Sequence, residues 1–343
     1  MDHSSRLPRW GALALTLLLA LATACSKQHE DTAPDDRISP KARAYLTAAL
    51  DLIQKRALKR GEVDWPEVRR TAFTRAAGAR KPSGTYPAIE GVLGALGDGH
   101  SRFLSPAAAE KLSETSLQTI PGLVAKRLRS GPGYVALPGV QGSMHTYDTY
   151  VRQGRDAVAA ADRKGACGWV VDLRGNRGGN MDPMFAVVAA ILGDGNVGAF
   201  VEADGKRTVW TVKGRSLKAG ANPPPWPAAR PLSRTHPAVA VLTDGRTASA
   251  GEAVTVAFRG RPATRSFGMR TSGVPTGNTH HRLSDGAALV LTEAKEADRT
   301  GRTYGGPIPP DEEFLVEPQD IGTSRDRALD AATRWLGKQP DCR

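Results

Sequence analysis

Three short segments of this chain carry residue types that can make and break an acyl bond. A hydroxyl, Ser249, sits in Thr247-Ala248-Ser249-Ala250-Gly251-Glu252. An imidazole, His100, sits in Leu96-Gly97-Asp98-Gly99-His100-Ser101-Arg102-Phe103. A glycine-rich loop, Gly175-Asn176-Arg177-Gly178-Gly179-Asn180, follows Asp172-Leu173-Arg174. A serine becomes a nucleophile when a base takes its proton, and a neutral imidazole, with an ordinary pKa near ~6.5, suits that task. Paired glycines can turn backbone N–H groups toward a carbonyl oxygen that is gaining charge. Each segment also has a plainer reading. Serine is a common helix N-cap, and a histidine in a loop is often only solvated. A glycine loop could cradle phosphate, but this one matches neither GxxxxGK[ST] nor GxGxxG, which excludes that use.

The surrounding pattern supplies elements to hold these groups. Residues 239–242 read as a buried strand, 243–248 as a turn and about 249–259 as a helix, which places Ser249 where unpaired N–H groups favour negative charge. Residues 169–173 form an apolar strand ending in the glycine loop, and Asp182-Pro183 opens a helix running to Leu192. His100 leaves a helix over residues 86–96, and of the five histidines after residue 30 only it lies in a glycine-rich loop between helices. Ser39-Pro40 and Asp64-Trp65-Pro66 open two further helices. A strand at 133–137, helices at about 145–164 and 324–336, a hairpin around Asp204-Gly205 and a strand at 287–292 complete the pattern. The alternation predicts an α/β core, preceded by a small helical region.

In this order the three segments resemble the C-terminal processing, or tail-specific, serine peptidases. That family carries a GDxHSxF-like element, a DLRGNxGG strand-loop and a SASxE nucleophile turn. The likeness runs over about residues 45–315 and includes Ala287 to Thr303 and Pro309-Pro310-Asp311. It implies a ClpP/crotonase-like core, Ser249 as nucleophile, and an oxyanion held by backbone N–H groups near Gly178, Gly179 and Ala250. Two departures matter. Residues 106–133 are too few for the peptide-binding PDZ domain found there in the best-known branch. That branch also uses a lysine base about 25 residues after the serine, where this chain has Val274, and no lysine occurs between Lys218 and Lys295. Arg270 stays protonated and cannot replace it. The tricorn core protease branch uses a histidine in the first motif, and His100 matches it, so the resemblance implies a Ser249–His100 pair. The acid that would orient His100 is open among Glu252, Glu293, Asp298 and Asp311.

The N-terminus sets the compartment. A short basic stretch with Arg6 and Arg9, an apolar run from Trp10 to about Ala20 and then Leu21-Ala22-Thr23-Ala24-Cys25 read as a secretory leader. The last residues resemble a bacterial lipobox, with Cys25 acylated, cleavage after Ala24 and the mature protein anchored in the cell envelope, facing the periplasm. Plain secretion is the alternative. The expected organisation is thus a leader at 1–24, a polar tether at 25–38, a helical region at 39–105 and a peptidase core at 106–343. The formal net charge of +12 comes without a nucleic-acid motif, so a solvated basic face is expected rather than a nucleic-acid partner. No CxxC pair or histidine cluster has metal-ligand spacing, and neither metal nor cofactor is expected. An oxidising compartment permits a Cys167–Cys342 bridge, although the sequence alone does not bring the two together. The expected partner is a protein or peptide substrate. A catalytically silent peptide- or ligand-binding lipoprotein on the same fold is the competing reading, because fold does not give function. A structural lipoprotein is a third.

Overall fold

Helices open the described part of the chain because capping side chains and prolines coincide. The structure, a computed structural model, describes residues 37–219 and 226–343; Cys25 and the leader lie outside them. Ser39 accepts from the Ala42 N–H ahead of α1 (Pro40–Arg56), and Asp64 accepts from the Glu67 N–H ahead of α2 (Trp65–Arg75). Then come α3 (Tyr86–Ala95), β1 (Arg102–Leu104), α4 (Pro106–Glu114), β2 (Val124–Arg127) and β3 (Gly133–Ala136). Next are α5 (Met144–Arg163), β4 (Trp169–Asp172), α6 (Met181–Leu192), and the hairpin strands β5 (Gly195–Glu202), β6 (Arg207–Lys213) and β7 (Ser216–Ala219). The remainder holds β8 (Val239–Thr243), α7 (Ala250–Phe258), β9 (Thr264–Gly268), β10 (Thr276–Arg282), β11 (Ala288–Asp298), β12 (Thr303–Tyr304), β13 (Glu312–Glu313) and α8 (Arg327–Leu336).

Among the described residues the strands form two sheets. One runs β13-β9-β8-β4-β3-β2, parallel except for the β2–β3 pair. Its central strands β4 and β8 are buried throughout, as expected for a sheet covered on both faces. The other, antiparallel, is built around β11, which pairs with β1, β5, β10 and β12. The main core, including Trp169, Phe185, Val254 and Trp210, joins the parallel sheet to α5, α6 and α7 and on to β5 and β6. On the far face of the parallel sheet, α8 packs Ala328 and Leu336 against Val170 and Phe267. The fold is an α/β, ClpP/crotonase-like core. The N-terminal helices share a core with Leu289 and Leu291 of β11, and Arg37–Arg343 forms one compact unit.

Some elements differ from the sequence reading. Asn180, not Asp182, caps α6, because its side chain reaches the Asp182 N–H at 2.9 Å. The strand expected at 287–292 runs on to Asp298, and β10, rich in polar residues, pairs along it. Cys167 and Cys342 are joined by a disulfide with Cα atoms 5.0 Å apart. Between the His100 loop and β3 the chain holds only β1, α4, β2 and their connections, with no PDZ domain.

Candidate active site

The β8–α7 turn holds Ser249 in a conformation that side chains other than glycine rarely adopt, with φ 53° and ψ −119°. Such strain costs about 1–3 kcal/mol and persists only where neighbours enforce it. Here Glu252 is the enforcer. Its carboxylate, fully buried, accepts from the Ser249 N–H at 2.8 Å, the Thr271 hydroxyl at 2.5 Å, the Gly273 N–H at 2.9 Å and the Val274 N–H at 3.0 Å. Burial raises its pKa, while those four donors pull the other way. Glu252 therefore fastens the Ser249 turn to residues 271–274.

The glycine loop lies directly beneath. A Cβ on Gly178 would sit 2.8 Å from that of Ser249, and one on Gly179 would sit 2.0 Å from the Val140 oxygen, so both positions demand glycine. Their N–H groups differ in use. Gly178 was expected to help hold an oxyanion, but its N–H donates to Asn176 Oδ1 at 2.9 Å. Asn176 also donates to the Leu137 carbonyl at 2.8 Å, which locks the loop. Among the described residues, the N–H groups of Gly179 and Ala250 have no protein partner, and both residues border the same cavity as Ser249. The loop is anchored from behind by Arg174. It is bonded to Asp172 and, across the molecule, to Asp326.

His100 reaches that cavity, of about 620 Å³, from the antiparallel sheet. Asp98 caps its loop by accepting from the His100 and Ser101 N–H groups. The His100 Nδ1 lies 2.7 Å from the Thr276 hydroxyl at the start of β10. Burial lowers the imidazole pKa, as does nearby Arg102, with Asp98 partly opposing. The ring is thus held neutral. Among the described residues no hydrogen bond joins His100 directly to Ser249.

The four carboxylates considered for orienting His100 each have other partners. Glu252 is spent on the turn. Glu293 accepts from Arg56 and Thr279 and pairs with His281, and these bonds hold its pKa down against burial. His281 is therefore engaged. Asp298 binds Thr300 and Tyr304. Asp311 binds Ser266 and Arg259. Thr276 fills the place beside the imidazole, and nothing in its sequence context marked it. Val274, at the lysine position of the other branch, lines the cavity instead. A second residue missed is Glu296 of β11, buried in the cavity wall. The strand period of two puts it on the face of Val290 and opposite Glu293, but the strand was read as ending before it.

Residues 132–314 match peptidase family S41. The chain belongs to peptidase family S41. A nisin-resistance protein from Lactococcus lactis is 24% identical over 88% of this chain and 89% of its own length. The carboxy-terminal processing protease CtpA of Bacillus subtilis, also similar, is 28% identical over 43% of this chain and 28% of its own. Among solved structures, a lipoprotein from Streptococcus agalactiae superposes with TM-score 0.70 at 24% identity, over 88% of this chain and 97% of that one. The photosystem II D1 C-terminal processing protease gives 0.61 at 17% identity, over 88% and 99%. Both share the S41 fold seen here.

Proposed function

We propose that this S41 chain is a serine endopeptidase of the bacterial envelope, with Ser249 as nucleophile and His100 as general base. The observation that carries the reading is the strained Ser249 at the head of α7, opening into the cavity that His100 lines. His100 donates Nδ1–H to Thr276, which leaves Nε2 to take the Ser249 proton. Oγ then attacks the peptide carbonyl, and the oxyanion meets the N–H groups of Gly179 and Ala250. Loss of one such donor costs roughly 10²–10³ in rate. The imidazolium passes its proton to the leaving amine, and a water activated by the same ring releases the acyl group. The leader and Cys25 support a lipid anchor on the envelope. Likeness to a nisin-resistance protein along nearly its whole length makes protection against nisin-like compounds a natural first cellular assay.

The missing direct Ser249–His100 bond favours a second reading, a silent binding protein, although catalytic hydrogen bonds often tighten only once substrate is present. Labelling separates the two. The purified full chain in detergent is treated with a fluorophosphonate, beside Ser249→Ala and His100→Ala. A peptidase labels, and both variants lose the label; a folded chain that never labels is the binding protein.

A further inference from the structure

Glu296 is the group in the cavity that the proposed chemistry does not use. It projects from β11, is 1% exposed, and its Oε2 has no hydrogen-bond partner. An unpaired buried carboxyl is costly, whether it is neutral or charged. Glu296 is among the residues lining the cavity that Ser249 also borders. Several of the other lining residues are small or apolar. Ala250 and Ala253 of α7 leave room on one side, and Val274 and Gly277 on another. The ring of Phe200 stands so close to Gly277 that a Cβ there would meet it at 2.5 Å. This makes a slot beside Ser249, with apolar sides and one carboxyl set in its wall.

We propose that this slot binds the side chain preceding the scissile bond and that Glu296 selects a basic one, lysine or arginine. The inference rests on the peptidase reading of Ser249. A long unbranched stem matches the apolar walls, and the cationic head would give Glu296 the donors that the protein withholds. Burial, and then the charge of nearby Glu252, raises the pKa of this carboxyl well above its ordinary value and so favours its protonated form. An arriving cation reverses that balance: the carboxyl proton leaves to solvent, and a charge-assisted ion pair forms. The other charged and titratable groups lining the cavity are Asp182, Arg102, Arg177, His100, His280 and Tyr147. This cavity carries cations and a second carboxyl, Asp182, besides Glu296, so the charge preference is assigned to Glu296 by the substitutions below.

The test uses two peptidyl diphenyl phosphonates that differ only in lysine or norleucine at the position preceding the phosphonate, reacted with the full chain. Wild type should label with the lysine probe roughly tenfold faster or more, as charge-assisted hydrogen bonds imply. Glu296→Gln and Glu296→Leu should bring the ratio of the lysine to the norleucine rate down to about one. Equal rates in wild type, or a lysine preference that survives both substitutions, overturn the proposal. Labelling by a plain fluorophosphonate but by neither peptide probe also overturns it and leaves the peptidase reading intact. If even the fluorophosphonate fails, calorimetry with N-acetyl-lysine methylamide and its norleucine counterpart decides. Tighter binding of the lysine amide that Glu296→Gln abolishes supports the slot, and no lysine preference rejects it.

Discussion

His100 Nδ1 lies 2.7 Å from the Thr276 hydroxyl, which in turn reaches the Val274 carbonyl at 3.5 Å. A serine-base-acid triad would put a carboxylate there. A hydroxyl fixes the ring and its tautomer through geometry, but it adds no negative charge to stabilise the imidazolium. In the proposed mechanism the base would thus be weak and neutral, which fits a ring whose pKa is already lowered by burial and by Arg102.

Thr276→Val should therefore lower kcat more than it changes KM. One lost orienting hydrogen bond predicts a fall of roughly tenfold to a hundredfold. Thr276→Ser should restore most of the rate, since it keeps the oxygen. Steady-state kinetics on any cleaved peptide, or rates of phosphonate labelling, check this. Equal loss in the serine variant would refute the orienting role.

The pH dependence follows from the same ring. A base works only when neutral, so labelling should rise with pH through an inflection below the ordinary imidazole value of ~6.5. Removing the cation in Arg102→Gln takes away a cause of the lowering and should move the inflection upward. A profile that does not move in that variant means that Arg102 does not set it.

The backbone at Ser249 gives a stability prediction. Glycine adopts positive φ without penalty, so Ser249→Gly should abolish labelling yet raise stability by about 1 kcal/mol, the lower end for a strained residue. Ser249→Ala keeps the strain and should leave stability nearly unchanged. Urea unfolding of the two inactive variants makes the comparison. Equal midpoints would mean the turn is not strained.

Much of this site was legible in the sequence because its chemistry is local. Ser249, Gly179 and Ala250 belong to strand–turn units whose glycines and apolar runs announce themselves, and His100 sits in a loop of the same kind. The partners assembled by pairing were not legible. Thr276 meets His100 only because β10 and β1 both pair with β11. Glu296 reaches the cavity only because β11 outlasts its apolar run, its polar end being covered by β5 and β12. Gly178 shows the limit from the other side. Its requirement for glycine was readable, but the use of its N–H depended on where Asn176 points.

The Cys167–Cys342 bridge closes a loop with a sequence separation of 175 and ties the C-terminus to the start of β4. Cys167→Ser should cost about 2–4 kcal/mol, mainly by freeing the unfolded chain. It should leave the labelling rate of the folded protein unaltered, since the bridge lies away from the cavity. Denaturant midpoints with and without reductant test this. A wild type indifferent to reductant and to the substitution would show that the bridge adds no stability.

Arg174 connects stability to the site itself. Its side chain is 1% exposed and bound by Asp172 and Asp326, which are 4% and 3% exposed. Burial alone would lower the guanidinium pKa, but hydrogen bonds and charge from the two aspartates more than reverse this. Asp326 also accepts from the Gly322 and Leu329 N–H groups, capping α8. The clamp thus fixes α8 to the residue just before Gly175, where the glycine loop begins. Asp326→Ala removes one arm and the cap together and should cost about 3–5 kcal/mol, the usual penalty for breaking a buried pair. Burial raises the Asp326 pKa, but the Arg174 bond and the backbone donors bring it below the ordinary value. That part of the stability is therefore complete above the unfolded carboxyl pKa of ~3.9 and is lost as pH falls through the lower folded value. Asp326→Asn should remove this acid-side decline while keeping the cap. If the clamp also positions Gly179, Asp326→Ala should label more slowly even at pH and temperature where it is fully folded. Wild-type labelling rates in a folded Asp326→Ala protein would confine Arg174 to holding the fold.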